Sequence, residues 1–175
     1  MNKRYIAIIA VVAIVIIAII AVVLLVLPGL FTPPVDISGI NPATTMTTDE
    51  LLPSALAGKQ LTEGSVDTGN ATVTTDGTNF EVEHTSAEYN GVTVHIIKTK
   101  SESDASDTLD VLLDDDDWYG SASSHTKTND WFTASKGGRS AFFWRSGIWV
   151  FGVDAENDST RNDVANDLVQ HLKGL

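Results

Sequence analysis

The residues of this chain best suited to chemistry are its four histidines. Imidazole can act as a general acid or base and can bind transition metals near neutral pH. His84 and His95 lie in two segments with strand patterns, His125 lies in a predicted loop, and His171 lies near the end of a predicted helix. No HExxH and no GxSxG sequence occurs, so neither a zinc hydrolase nor a serine hydrolase is indicated. Scattered structural or solvated histidines are favoured over a catalytic or metal site.

The second candidate for chemistry is an acidic run that consists of Asp114, Asp115, Asp116 and Asp117. Ca²⁺ binds carboxylate oxygens, so this run is the candidate metal site. An EF-type loop that began at Asp115 would have Tyr119 and Thr126 at ligand positions, which does not fit the motif. The alternative is a solvated helix end, where the acids oppose the helix dipole and attract a counter-ion. Beyond this candidate Ca²⁺, no cofactor and no catalytic residue is predicted.

An apolar run from Ile6 to Leu27 organises the rest of the chain. It contains no polar side chain, and a helix of this length, at ~1.5 Å per residue, spans ~33 Å, enough to cross a hydrocarbon core of ~30 Å. The run is too long for a cleaved signal, no Cys follows it as in a lipoprotein, and it lacks the flanking features of a pilin-like subunit. We predict a cytoplasmic tip and an uncleaved single-pass signal anchor over residues 1–27.

The orientation of the predicted span follows from its flanking charges. Lys3 and Arg4 precede it, and no Lys or Arg occurs in the first twenty residues after it. Basic flanks are retained in the cytoplasm, so we expect the rest of the chain on the outer face of the cell membrane. The alanines of the span never lie four residues apart, so a tightly packed helix dimer, and hence an oligomer, is not indicated.

The predicted exterior part is strongly acidic. Nine basic residues remain after the span against all twenty-three acidic ones, a net charge of −14. Like charge repels nucleic acids and anionic membrane surfaces, so neither is expected as a partner, whereas a protein or envelope partner remains open. Such a surface suits a salty medium, where charges are screened over a few Å. The chain has no Cys, so its core must form without disulfides.

Residues 28–50 are rich in Pro and Thr and are predicted to be a stalk, and residues 51–175 a single acidic domain. Thr47 and Glu50 have the spacing of a capping box, which predicts a helical turn before Leu51. One edge strand is predicted around residues 71–75. Alternating apolar residues on both sides of Asn90-Gly91 predict a hairpin. A three-residue turn would place all its even-numbered residues on one apolar face, and we therefore expect that turn, with His84 and His95 on opposite faces.

The remainder of the domain predicts two helices and a second set of strands. Ser101 can cap a helix that ends near Asp114, and Asn157 can cap a helix at the end of the chain. Strands are expected near residues 131–134, 140–145 and 148–153. Residues 80–113 match residues 136–169 at an offset of 56, which indicates a strand-strand-helix pseudo-repeat. We therefore predict an α+β, two-layer domain: a mostly antiparallel sheet of five to six strands with two helices on one face.

Aromatic residues are concentrated in the second set of strands. The candidate interaction patch consists of Trp131, Phe143, Trp149 and Phe151. An exposed patch of this kind would bind a partner or a ligand. The alternative is that the segment from Leu51 to Leu61 packs over these side chains and makes them part of the core.

Two sequences fit the N-glycosylation acceptor motif, at Asn70 and at Asn157, and both fall in the predicted exterior part. The overall layout, with a basic start, an Ile-rich span, a Pro/Thr segment and an Asp-rich domain, resembles small single-pass membrane-anchored exterior proteins of archaea. This resemblance implies no activity. A non-catalytic binding module at the cell surface is the favoured function. The alternatives are a hydrolase-like envelope enzyme that uses acids near Asp114 to Asp117 and His125, and a structural envelope subunit.

Overall fold

The computed structural model describes residues 32–75, 77–114, 124–128 and 130–175, and only the backbone of Ser124 and His125. A 3-10 turn, two helices and nine strands are present in these residues. They are the 3-10 turn Asp49–Leu51, β1 (Ala55–Leu56), β2 (Lys59–Gln60), β3 (Asp67–Thr75), β4 (Thr78–Tyr89), β5 (Val92–Lys98), α1 (Glu102–Asp114), β6 (Ser124–Lys127), β7 (Trp131–Lys136), β8 (Arg139–Ser146), β9 (Trp149–Ala155) and α2 (Asp158–Lys173).

Seven strands form one antiparallel sheet in the order β3-β4-β5-β9-β8-β7-β6, and β1 pairs with β2 in a separate ribbon. The sheet consists of two meanders, because α1 carries the chain from β5 to the far edge and β6 to β9 then return to β5. The expected edge strand near residues 71–75 is confirmed as β3. The predicted count of five to six strands is too low, since the polar segment Ser124–Lys127 resembles a loop in sequence.

Both helices occur where their capping residues predict them. The backbone N–H of Asp104 donates to Ser101 Oγ (3.1 Å) at the start of α1, and the N–H of Thr160 donates to Asn157 Oδ1 (2.9 Å) at the start of α2. Such bonds satisfy backbone donors that have no partner within a helix. The predicted helical turn is present as the 3-10 turn, and Glu50 accepts a hydrogen bond from the N–H of Thr47 (2.8 Å), but the N-cap is Thr48, whose side chain makes no cap hydrogen bond, so only half of the capping box forms.

The β4–β5 hairpin has a two-residue turn, so the predicted three-residue turn is wrong. Tyr89 pairs with Val92, and both Asn90 (φ 47°) and Gly91 (φ 84°) between them have a positive φ. These angles define the type I′ turn whose twist matches that of the flanking strands, and Asn-Gly is its preferred sequence. The shorter turn shifts the pairing by one residue, which moves every side chain of one strand to the other face.

As a result, the two helices lie on opposite faces of the sheet. On the face that we call the α1 face, α1 packs against side chains that include Val82, Ile97, Phe143 and Val150. On the other face, the α2 face, α2 packs against side chains that include Tyr89, Val94, Trp144 and Phe151. The predicted two-layer arrangement with both helices on one face is therefore wrong, and the domain has three layers.

The pseudo-repeat fails for the same reason. In the structure Tyr89 and Ser146 end the first strands of the two hairpins, and these residues are 57 apart, not 56. The sequence match pairs Val94 with Val150, but Val94 lies on the α2 face and Val150 on the α1 face. The order strand-strand-helix recurs, while the faces that the two helices cover do not.

Residues 33–50, predicted to belong to a stalk, are part of the compact unit Pro33–Leu175. Val35 and Ile40 are buried in the core on the α2 face. The indole N–H of Trp149 donates to Pro42 O (3.3 Å), and Lys98 Nζ donates to Met46 O (2.6 Å). The segment thus covers part of the sheet.

The predicted membrane span, residues 6–27, lies outside the described residues. Within the part of the chain that the structure describes, no helix has both the length and the apolar character needed to cross a membrane.

Candidate functional site

The most unusual polar contact in the sheet joins His84 on β4 to His95 on β5. The two-residue turn places both side chains on the α1 face, contrary to the prediction of opposite faces. His84 Nε2 lies 3.3 Å from His95 Nδ1, and the ring centroids are 5.6 Å apart with an interplanar angle of 15°. The centroid separation exceeds the nitrogen separation by about two ring radii, so the two nitrogens point at each other. One imidazole therefore donates an N–H to the other.

An aromatic ring borders the pair on the side of β9 and β8. The ring of Phe143 lies 5.6 Å from that of His95, centroid to centroid. Gly152 of β9 stands between them in the sheet, paired with both His95 and Phe143. A Cβ at position 152 would overlap the Phe143 ring, so only glycine lets that ring lie across β9 and reach His95.

Both imidazoles are held in the neutral form. Burial lowers the pKa of His95 well below its usual range, and the neighbouring His84 and Arg139 lower it further because each disfavours a second positive charge. Burial also lowers the pKa of His84, although Asp67 acts in the opposite direction. At neutral pH the pair is therefore an uncharged donor–acceptor unit.

His84 also lines a cleft of about 200 Å³ between the β3–β4 hairpin and α1. The cleft reaches from β3, the edge strand, across β4 to Ile97 of β5, and α1 closes the opposite side. Its lining residues are Ala71, Thr72, Val73, Thr74, Val82, His84, Ile97, Thr108, Val111 and Leu112. Among the described lining residues there is no acid, Lys or Arg, so this part of the cleft is an apolar recess bordered by one neutral imidazole.

The candidate metal residues are only partly described. Asp114 ends α1 and is exposed, whereas Asp115, Asp116, Asp117 and the side chain of His125 lie outside the described residues. Among the described residues, no group of three or more His, Cys, Asp or Glu side chains is placed to hold a metal ion. The His84–His95 pair therefore supplies two nitrogens and no described third ligand.

The four residues of the candidate aromatic patch are buried and do not share one face. Trp131, Trp149 and Phe151 belong to the core on the α2 face, and Phe143 belongs to that on the α1 face. Each is at most 5% exposed. The core on the α2 face includes Leu51 and Leu56 of the segment proposed as a cover, together with α2.

The two glycosylation candidates have different surroundings. Asn70 is exposed in the middle of β3. Asn157 is also exposed, but it caps α2. The next residue, Asp158, accepts hydrogen bonds from Ser140 Oγ and from Arg161 Nη1, and Arg161 is 5% exposed. Arg161 Nη1 also donates to Ser140 Oγ (2.6 Å). This buried contact joins α2 to β8, and no sequence motif indicates it.

No protein-family model matches the chain, and no curated protein matches it. Among solved structures, the chain is similar to a crystal structure described as a GTP binding regulator from Thermotoga maritima. The two are 16% identical, the similarity covers 75% of this chain and 88% of that one, and the TM-score is 0.43. Similarity at this level assigns neither a family nor a function to the chain.

Proposed function

We propose that this protein is a non-catalytic binding module, anchored in the cell membrane by the segment 6–27 with its domain on the outer face. The basic residues Lys3 and Arg4 before the apolar run support this orientation. The observation that carries the binding role is the cleft between the β3–β4 hairpin and α1. A concave apolar recess with a few convergent polar groups is the usual form of a small-molecule site.

The ligand that this cleft suits is small and uncharged, with an apolar body and one hydrogen-bonding group. The walls offer Val82, Ile97 and Leu112 to the apolar body. His84 is the polar group that borders the recess, and its imidazole is neutral at pH 7 because burial lowers its pKa. The net charge of −14 after the span disfavours an anionic ligand.

The test uses phenol as a probe, since phenol is uncharged near pH 7 and combines an apolar ring with one hydroxyl. We expect titration of phenol into the detergent-solubilised chain to shift the backbone amide resonances of Val82, Ile97 and Leu112, with saturation. Replacing Val111→Trp fills the recess from α1 and should weaken phenol binding at least tenfold, by loss of space.

The matched control is Val66→Trp, because Val66 is 43% exposed and does not line the cleft. This variant should bind phenol as the unchanged protein does. Shifts that are spread over the surface, or an affinity that Val111→Trp leaves unchanged, would contradict the assignment of the site to this cleft.

A further inference from the structure

Strand β3 is a long edge strand with few of the features that usually prevent an edge from pairing with another chain. It pairs on one side with β4 and ends the sheet order of the described strands. Seven of its nine residues are exposed, and neither a charged residue nor a Pro occurs from Thr68 to Thr75. Edge strands present unpaired backbone donors and acceptors to other chains, and proteins blunt them with Lys, Pro, bulges or covering segments. In so acidic a chain, an uncharged edge is also where repulsion between copies is weakest.

The acceptor motif Asn70-Ala71-Thr72 lies in the centre of this edge. Side chains two residues apart in a strand point to the same face, so the Thr72 hydroxyl stands beside the Asn70 carboxamide. Asn70 of β3 pairs with Glu83 of β4, and the neighbours of Glu83 in β4, Val82 and His84, line the cleft. Neighbouring side chains in a strand point to opposite faces. The Asn70 side chain therefore lies on the face opposite the cleft.

There is also room for a saccharide next to Asn70. An open recess of about 230 Å³ adjoins Asn70, and its walls include the charged residues Glu81, Glu83, Lys98 and Lys100. Carboxylates accept hydrogen bonds and ammonium groups donate them, so these residues complement the hydroxyl groups of a sugar.

We propose that Asn70 carries an N-linked glycan that covers the β3 edge and prevents pairing between copies of the domain. The donor is a lipid-phosphate-linked oligosaccharide. The Asn70 amide nitrogen forms a C–N bond to the anomeric carbon, the C–O bond to the phosphate breaks, the lipid phosphate leaves with the bonding electrons, and the amide proton is released. This inference rests on the exterior location in the proposed function, but not on the cleft.

The experiment expresses the full chain in cells whose membrane presents such donors and the transferase on its outer face. The peptide that contains Asn70 is then analysed by mass spectrometry. We expect a saccharide mass on Asn70 in the unchanged chain. Thr72→Ala removes the required hydroxyl and should abolish the added mass, while Thr72→Ser should retain it. Thr74→Ala is the matched control, because Thr74 is exposed on the same face of β3 and lies outside the motif; it should retain the added mass.

Self-association is the second measurement. The detergent-solubilised Thr72→Ala chain should form dimers or larger species as concentration rises, whereas the Thr74→Ala chain should not. A glycan on Asn70 with no difference in association between these two variants would overturn the shielding role.

Protease added to intact cells separates failure of the location from failure of the glycan. If the domain is digested and Asn70 is unmodified, the glycan proposal fails and the exterior location stands. If the domain is protected and Asn70 is unmodified, both fail.

Discussion

At the scale of single residues, the His84–His95 contact couples two protonation equilibria. Their facing nitrogens, 3.3 Å apart, share one proton, so a second proton between them would break the hydrogen bond and place an imidazolium N–H against the other N–H. Arg139 adds a further positive charge near His95, and Asp67 is the acid that acts on His84. The pair is therefore more stable neutral than charged in the folded protein.

The pH dependence of stability follows from the lowered pKa values. Below the unfolded pKa of about 6.5 the unfolded chain binds protons that the folded pair resists, so the free energy of unfolding should fall as pH drops from 7 to 5. His95→Gln removes one such group and should make this fall shallower, at a cost of ~1 kcal/mol at pH 7 for the lost hydrogen bond. Chemical denaturation at several pH values measures both effects.

The control for this prediction is Ser86→Ala, because Ser86 pairs directly with His95 and does not ionise. It should change the free energy of unfolding by the same amount at every pH. An unchanged slope in His95→Gln would contradict the assignment.

At the scale of elements, local signals predicted more than pairing signals did. Ser101 and Asn157 placed both helix starts, because capping is a contact between residues three apart. The Asn90-Gly91 signal located the hairpin, but the choice between two and three turn residues depended on which face was expected to be apolar. Both faces of the sheet are buried over much of its area, so that criterion failed. The wrong turn length placed the two histidines on opposite faces, so their contact was not predicted.

The loop-rich N-terminal segment of the described domain, residues 33–56, forms part of the core on the α2 face. Leu51 is fully buried in the core on the α2 face, where Trp149 and Phe151 also lie. Leu51→Ala should lower the free energy of unfolding by ~2–5 kcal/mol, through lost burial and the cavity that remains. Leu52→Ala, at a partly buried neighbour, should cost less. Urea denaturation of both variants gives the comparison, and equal costs would show that the segment is not specifically packed.

At the scale of the whole molecule, buried apolar layers coexist with an unbalanced surface charge. Helices and the N-terminal segment enclose the sheet on both faces, which explains why the aromatic residues of the second meander are core. Composition predicted the acidic surface directly, since counting residues requires no pairing information. It could not predict the three layers, because the number of layers depends on which face each helix covers.

Salt should stabilise this domain. Net repulsion among the charges that sum to −14 opposes the compact state, and raising the ionic strength from ~0.01 to ~1 M shortens the screening length from ~30 to ~3 Å. Salt also weakens ion pairs such as Lys127–Asp110 (2.9 Å) and Arg145–Asp130 (2.7 Å), but pairs at this exposure contribute only ~0–1 kcal/mol each. The repulsion should dominate, so urea midpoints should rise with added NaCl.

Asp114→Asn, which removes an exposed acid from the C-terminal end of α1, should raise the low-salt midpoint and reduce the gain from salt. Midpoints that fall or stay constant with added NaCl would show that the ion pairs outweigh the repulsion.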